Sequence, residues 1–246
     1  MRQFLAVLVF AGASASAETI SLESGLRLLY DFNNNVLDTS GNNLNGVPIG
    51  NPGFTSDQNS NINSAIYLNG SAQWVYFPDS VFGPAVQAFT FHARVHLDEN
   101  SSGKIIMKGS ENGEAQLEIR DGMINFGIKN YDWFFASGSA SNGWHNLIGT
   151  YFKNSNILLY IDGALINQTT IPESDLNSGG FNYSAIGANA EYLGSSEYFN
   201  GIIDEVRIYD RALNTSEIQA LGVPEPSSLS LLLAGGAALM VRRRKS

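Results

Sequence analysis

Phe89-Thr90-Phe91-His92-Ala93-Arg94-Val95-His96-Leu97 puts Phe89, Phe91, Ala93, Val95 and Leu97 on one parity and Thr90, His92, Arg94 and His96 on the other. Successive side chains of a strand point to opposite faces, so the stretch predicts a half-buried strand with one apolar and one polar side. Outward from it the chain keeps reversing. Asp121-Gly122 separates Gln116 to Arg120 from Met123 to Ile128, and Asp162-Gly163 separates Ile157 to Ile161 from Ala164 to Thr170. Asp-Gly tolerates positive φ at both central positions of a type I′ turn, so each pair predicts a hairpin. Further strands are expected at Leu26 to Phe32, Ala65 to Leu68, Trp74 to Phe77, Lys104 to Lys108, Trp133 to Ala136, Trp144 to Phe152, Tyr183 to Gly187 and Phe199 to Tyr209. The one good helical signal is Asn214 to Leu221, where Asn214 serves as N-cap and Glu217, three residues on, completes a capping box. Many short strands with turns between them predict an all-β fold, a two-sheet antiparallel jelly-roll sandwich.

The two ends read differently. Arg2, the apolar run Phe4 to Ala11 and Ala15-Ser16-Ala17 form a secretory signal peptide ending at Ala17. At the other end Pro224-Glu225-Pro226 precedes an apolar run, Leu229 to Val241, and then Arg242, Arg243, Arg244 and Lys245. The run is short of the ~20 residues a spanning helix needs, and its basic end stays on the cytoplasmic side, so the preceding chain faces outward. This arrangement resembles the PEP-CTERM sorting signal of Gram-negative bacteria. The resemblance implies that an exosortase-type membrane peptidase cuts near Pro224-Glu225-Pro226, with only transient membrane contact, and passes the protein to the cell surface or matrix. The alternative is a plain C-terminal anchor. Between the ends lies one domain, residues 18–222, a size at which all-β sandwiches still form a single core.

That domain holds 9 basic and 22 acidic residues, a net charge of about −13. Nucleic acid and anionic lipid are poor partners for it, because phosphate binding rests on Lys and Arg. The chain has no cysteine, so an exported protein must rely on its core, or on its core together with a metal ion, in place of disulfides.

Three segments, in order, carry a second resemblance. They are Leu28-Leu29-Tyr30-Asp31-Phe32 with Asp38-Thr39-Ser40-Gly41-Asn42; Trp144-His145-Asn146-Leu147 with Leu159-Tyr160-Ile161-Asp162-Gly163; and Phe199-Asn200-Gly201-Ile202-Ile203-Asp204-Glu205-Val206-Arg207-Ile208-Tyr209 with Arg211-Ala212-Leu213. Together they resemble the concanavalin A-like, laminin-G-like jelly-roll domains, with Arg94 standing where relatives often place an aromatic. Such domains include lectins, adhesion modules, glucanases and lyases, so the site must decide the function.

Catalytic signals are weak. A retaining glycosidase needs two carboxylates about 5 Å apart. Glu114 and Glu118 share parity but Asp121 belongs to a turn; adjacent Asp204 and Glu205 are expected on opposite strand faces; Asp98 and Glu99 sit at a strand end beside Asn100 and Ser101. There is no G-x-S-x-G elbow and no phosphate loop, and His92 and His96 on one strand face are about 13 Å apart, too far for one zinc ion. No enzymatic activity is expected. Calcium is the better metal, since Asp38-Thr39-Ser40-Gly41-Asn42-Asn43-Leu44-Asn45-Gly46 offers oxygen ligands in one loop that lacks the EF-hand pattern. The laminin-G resemblance implies that this loop lies against the closing strand, with Asp38, Asp204 and Asn43 or nearby carbonyls around a structural ion. Otherwise Asp38 and Ser40 form local turns.

For a ligand, Asn130-Tyr131-Asp132-Trp133-Phe134-Phe135 mixes aromatic faces with polar rims, which suits a sugar, and Tyr131, Asp132 and Trp133 are the candidates. Trp133 and Phe135 equally fit a core-facing parity. Asn189 to Tyr198, with Glu191, Tyr192, Glu197 and Tyr198, is a second loop of the same character. The expectation is an exported, non-catalytic glycan-binding protein of the cell surface or matrix. The alternatives are an adhesion or structural protein that binds other proteins, and a hydrolase or lyase.

Overall fold

The structure is a computed structural model that describes residues 20–222 except 83–85, 110–113, 131, 173–175, 177–183 and 190–196. The expected signal peptide with Ala17, the sorting segment with Pro224, Glu225 and Pro226, and Tyr131, Tyr183, Glu191 and Tyr192 lie outside the described residues. The strands are β1 (Leu26–Tyr30), β2 (Val47–Ile49), β3 (Gly53–Thr55), β4 (Ala65–Asn69), β5 (Trp74–Tyr76), β6 (Ala88–Leu97), β7 (Gly103–Lys108), β8 (Glu114–Arg120), β9 (Met123–Asn130), β10 (Asp132–Gly138), β11 (Gly143–Phe152), β12 (Asn156–Ile161), β13 (Ala164–Thr170), β14 (Ser184–Ile186) and β15 (Asn200–Tyr209), followed by helix α1 (Thr215–Gly222). They form two antiparallel sheets. The first runs β13-β12-β11-β6-β15-β4-β3 with β1 also paired to β15, and the second runs β10-β9-β8-β7-β14-β5-β2.

The alternating parity of β6 does what its pattern requires. Phe89, Phe91, Ala93, Val95 and Leu97 are buried between the sheets, where Phe89 and Phe91 meet Phe126 of β9 edge-on at centroid distances of 5.9 and 6.1 Å. Gly149 of β11 makes room for that ring, since a Cβ there would run into Phe126. Both Asp-Gly turns have positive φ at both residues, 53° and 73° at Asp121-Gly122 and 50° and 78° at Asp162-Gly163.

Three differences from the sequence reading have physical causes. The polar parity of β6 is not solvated throughout, because Thr90 and His92 are fully buried. Residues near the end of the chain lie over this face. Thr90 Oγ1 donates to the Arg211 carbonyl at 2.9 Å and accepts from the Leu213 amide at 3.1 Å, while Ile218 and Leu221 of α1 pack with Ile148 and Tyr209. Next, β15 carries a bulge: Ile203 pairs with Val95 and Glu205 with Arg94, leaving Asp204 as an extra residue. The bulge cancels strict alternation, so Asp204 and Glu205 both lie on the outer side, contrary to the expected opposition. Finally, β2 and β3 escaped the pattern because three residues are too few to show a period.

The capping box at α1 forms as read. The Glu217 amide donates to Asn214 Oδ1 at 3.0 Å and the Asn214 amide to Glu217 Oε2 at 2.8 Å. Among the described residues no helix is long and apolar enough to cross a membrane.

Candidate functional site

The outer face of the second sheet gathers the chemistry. In β8 the residues Ala115, Leu117 and Ile119 enter the core, which leaves Glu114, Gln116 and Glu118 on the other side. In β9 Ile124, Phe126 and Ile128 point inward, and register then matches Trp133 with Lys129, Phe135 with Gly127 and Ser137 with Asn125 on the outer side. Trp133 and Phe135 stack with centroids 5.2 Å apart and planes 12° from parallel. Gly127 is needed beneath them because a Cβ would collide with the Phe135 ring. Trp133, half-buried, therefore belongs to a sheet-face platform and not to the central core.

Beside the rings lies a lattice of charges. Lys104 Nζ donates to Gln116 Oε1 at 2.6 Å and to Glu118 Oε2 at 2.5 Å, and stands 5.9 Å from the centre of the Trp133 ring. Lys129 Nζ donates to Glu114 Oε1 at 2.8 Å and lies 5.8 Å from the same ring. Both lysines are within range of cation–π attraction. Arg120 bridges Glu118 and Glu197, 3.0 Å to each, and Asn189 Nδ2 donates to Glu197 at 2.9 Å. Two neighbouring clefts, about 250 and 350 Å³, share Glu118, Arg120 and Asp121; Phe135 and Ser137 wall the first and Glu197 and Tyr198 the second. Among the described residues, Gln116 Nε2 and Glu118 Oε1 are buried without hydrogen-bond partners. Buried polar atoms normally have partners, so these two are where a ligand or water group would be most favourable.

The expected ligand residues are only partly assembled here. Trp133 is central, Asp132 is exposed at the start of β10, and Tyr131 lies outside the described residues. Lys104, Gln116 and Glu118 were not read as binding residues, although the Glu-x-Gln-x-Glu parity of β8 was visible. What the chain alone did not show was that β7, β8, β9 and β10 lie side by side. Glu114 and Glu118 share the face but are four residues apart on one strand, about 13 Å between Cα atoms. Each carboxylate turns to a lysine of a different neighbouring strand, which is not a glycosidase pair.

The candidate calcium ligands have separate partners. Asp38 Oδ1 accepts from the Leu29 and Ser40 amides at 3.1 and 3.0 Å, and Oδ2 from the Leu44 amide at 2.9 Å. Burial pushes the Asp38 carboxyl up, but these amides outweigh it and hold it below the usual range. Asn43 is left-handed, with φ 59°. Asp204 faces Arg94 at 3.4 Å, and burial pushes its carboxyl up to about 6 despite that guanidinium. Among the described residues no group of three or more His, Asp or Glu side chains is arranged to hold a metal.

Around Asp204 the outer face of the first sheet holds a second ionic cluster. His92 Nε2 is 3.1 Å from Asn146 Oδ1, which also accepts from Arg94 Nε at 3.2 Å, and Arg207 pairs with Glu205 at 2.7 Å.

A profile of the family Laminin_G_3, the concanavalin A-like lectin/glucanases superfamily, matches residues 69–219, and the chain belongs to that family. The PEP-CTERM protein-sorting motif matches residues 222–245, which marks an exported protein processed at the membrane. No curated protein matches the chain. Among solved structures it is similar to domain 4 of AbnA, a GH43 extracellular arabinanase from Geobacillus stearothermophilus, in complex with arabinotriose. The identity is 24% and the TM-score 0.64, over 80% of this chain and 98% of that one. It is also similar to the binding domain of botulinum neurotoxin DC in complex with SialylT, at 17% identity and TM-score 0.65, over 82% and 51% of the two chains. The binding domain of Paraclostridial Mosquitocidal Protein 1 gives 19% and 0.66, over 82% and 52%. The chain thus spans about half of these toxin domains, and at such identities the likeness shows the fold.

Proposed function

We propose that this protein binds glycans, without catalysis, through the Trp133–Phe135 platform and the adjoining clefts, and is displayed on the surface or in the matrix of a Gram-negative bacterium. The observation that carries the reading is the flat, half-exposed ring pair set beside buried amide and carboxylate groups, two of whose polar atoms have no partner. Ring faces take the apolar side of a sugar while the polar atoms take its hydroxyls. A family relative by fold, the arabinanase domain, was solved with arabinotriose, which supports a sugar ligand. Titration of a polysaccharide panel into the protein tests the reading: Trp133→Ala should weaken binding by about tenfold or more in a protein that still melts cooperatively. New reducing ends in the polysaccharide would instead establish a hydrolase.

Protein binding is the second reading, favoured by the edge strand β2, where Val47 and Ile49 are 50% and 37% exposed. Binding that survives removal of glycans from the target surface would support it. Calcium near Asp38 stays within the proposal only as a structural ion whose shell draws on backbone carbonyls.

A further inference from the structure

We infer that the ligand of this face is a neutral, hydroxyl-rich glycan and not an acidic one, an inference that rests on the glycan-binding reading above. Among the described residues, every cation on the face has an anion. Lys104 is matched with Glu118, Lys129 with Glu114, and Arg120 with Glu118 and Glu197. Three cations against three carboxylates leave no net positive charge to receive a uronate, sulfate or phosphate group. The surrounding domain, at about −13, adds repulsion that ionic strength only partly screens.

The groups without partners have a different character. Gln116 Nε2 is a donor and Glu118 Oε1 an acceptor, both buried, and both side chains hang from the same Lys104 ammonium. Hydroxyls donate as well as accept, so a polyol in the clefts that Glu118 lines can donate to its Oε1. At neutral pH a carboxylate or sulfate only accepts, so it cannot donate to Glu118 Oε1 and sets like charge against it. Glu118 lines both clefts and Phe135 lines the smaller one, so one chain can reach the carboxylate and the ring together. Stacking on the rings is indifferent to the charge of the sugar, which leaves the polar atoms to choose the class.

The test is calorimetric titration of the purified protein with neutral oligosaccharides from arabinan, xylan and glucan, and with acidic ones from polygalacturonate, alginate and sulfated glycans. Each is run at about 50 and about 500 mM salt, conditions that differ strongly in screening. Neutral ligands should bind with less than about a twofold change between the two salts. Phe135→Ala, which removes the ring that walls the smaller cleft and keeps the Lys104–Glu118 pair, should weaken them by about tenfold. If that variant does not fold, the salt dependence of the wild type still decides. Acidic chains that bind more tightly than neutral ones, with affinity falling as salt rises, would overturn the inference and leave the glycan reading standing. No binding to either panel would overturn both.

Discussion

Asp38 and His92 show how single residues are committed by their surroundings. Three backbone amides converge on the Asp38 carboxylate and tie the loop after β1 to Leu29. Asp38→Ala should cost about 2 kcal/mol in chemical denaturation, since the amides lose a charged acceptor and water replaces it only in part. His92 illustrates the opposite case, a titratable ring inside the ionic cluster of the first sheet. Burial is the largest influence and pushes its imidazole down to about 4, while Glu205 pulls the other way and Arg207 and Arg94 add to the lowering. A folded pKa below the unfolded value of 6.5 means the neutral ring is favoured by folding. Its contribution is complete above pH 6.5 and is lost as pH falls toward 4. Neighbouring Asp204, raised to about 6, works in the reverse sense, losing its contribution as pH rises through that value. Melting temperatures of the wild type should therefore fall more between pH 6.5 and 4 than those of His92→Gln, and parallel profiles would show that His92 is not the titrating group.

At the scale of elements, α1 is eight residues long and too short to hold itself together in water. It persists because Asn214 and Glu217 cap each other, Arg211 pairs with Glu217 at 2.7 Å, and Ile218 and Leu221 cover Ile148 and Tyr209. Asn214→Ala should destabilise the protein by about 1 kcal/mol, seen as a lower urea midpoint with an unchanged slope. The capping box was legible in the chain because it is a local pattern. The burial of Thr90 beneath Arg211 and Leu213 was not, because those partners are more than a hundred residues away, and the burial of His92 beside Asn146 likewise joins residues far apart in the chain. The bulge at Asp204 was equally hidden. Nothing in Ile203-Asp204-Glu205 announces an extra residue, and only pairing with Arg94 and Val95 shows the slip. The platform on β10 was legible as composition, while its neighbours from β7 and β8 were not.

For the whole molecule, β1 pairs with β15 through Tyr30 and Val206, so the two ends of the domain close the first sheet together. With no disulfide, stability rests on the shared core and on any ion the protein takes up. If calcium binds the native state, a millimolar concentration should raise the melting temperature and chelator should reverse it; identical melting in both would remove the ion and leave Asp38 as a turn cap. The alternation of Phe89 to Leu97, the Asp-Gly turns and the sorting tail are periodic or local features, and the sequence by itself determined from them an exported, two-sheet jelly roll. The tertiary structure alone decided which parity of β10 faces outward, that Glu114 and Glu118 are each tied to a lysine, and that a donor and an acceptor lie without partners beside two rings. These depend on strand order and register, which bring together residues that no spacing along the chain relates.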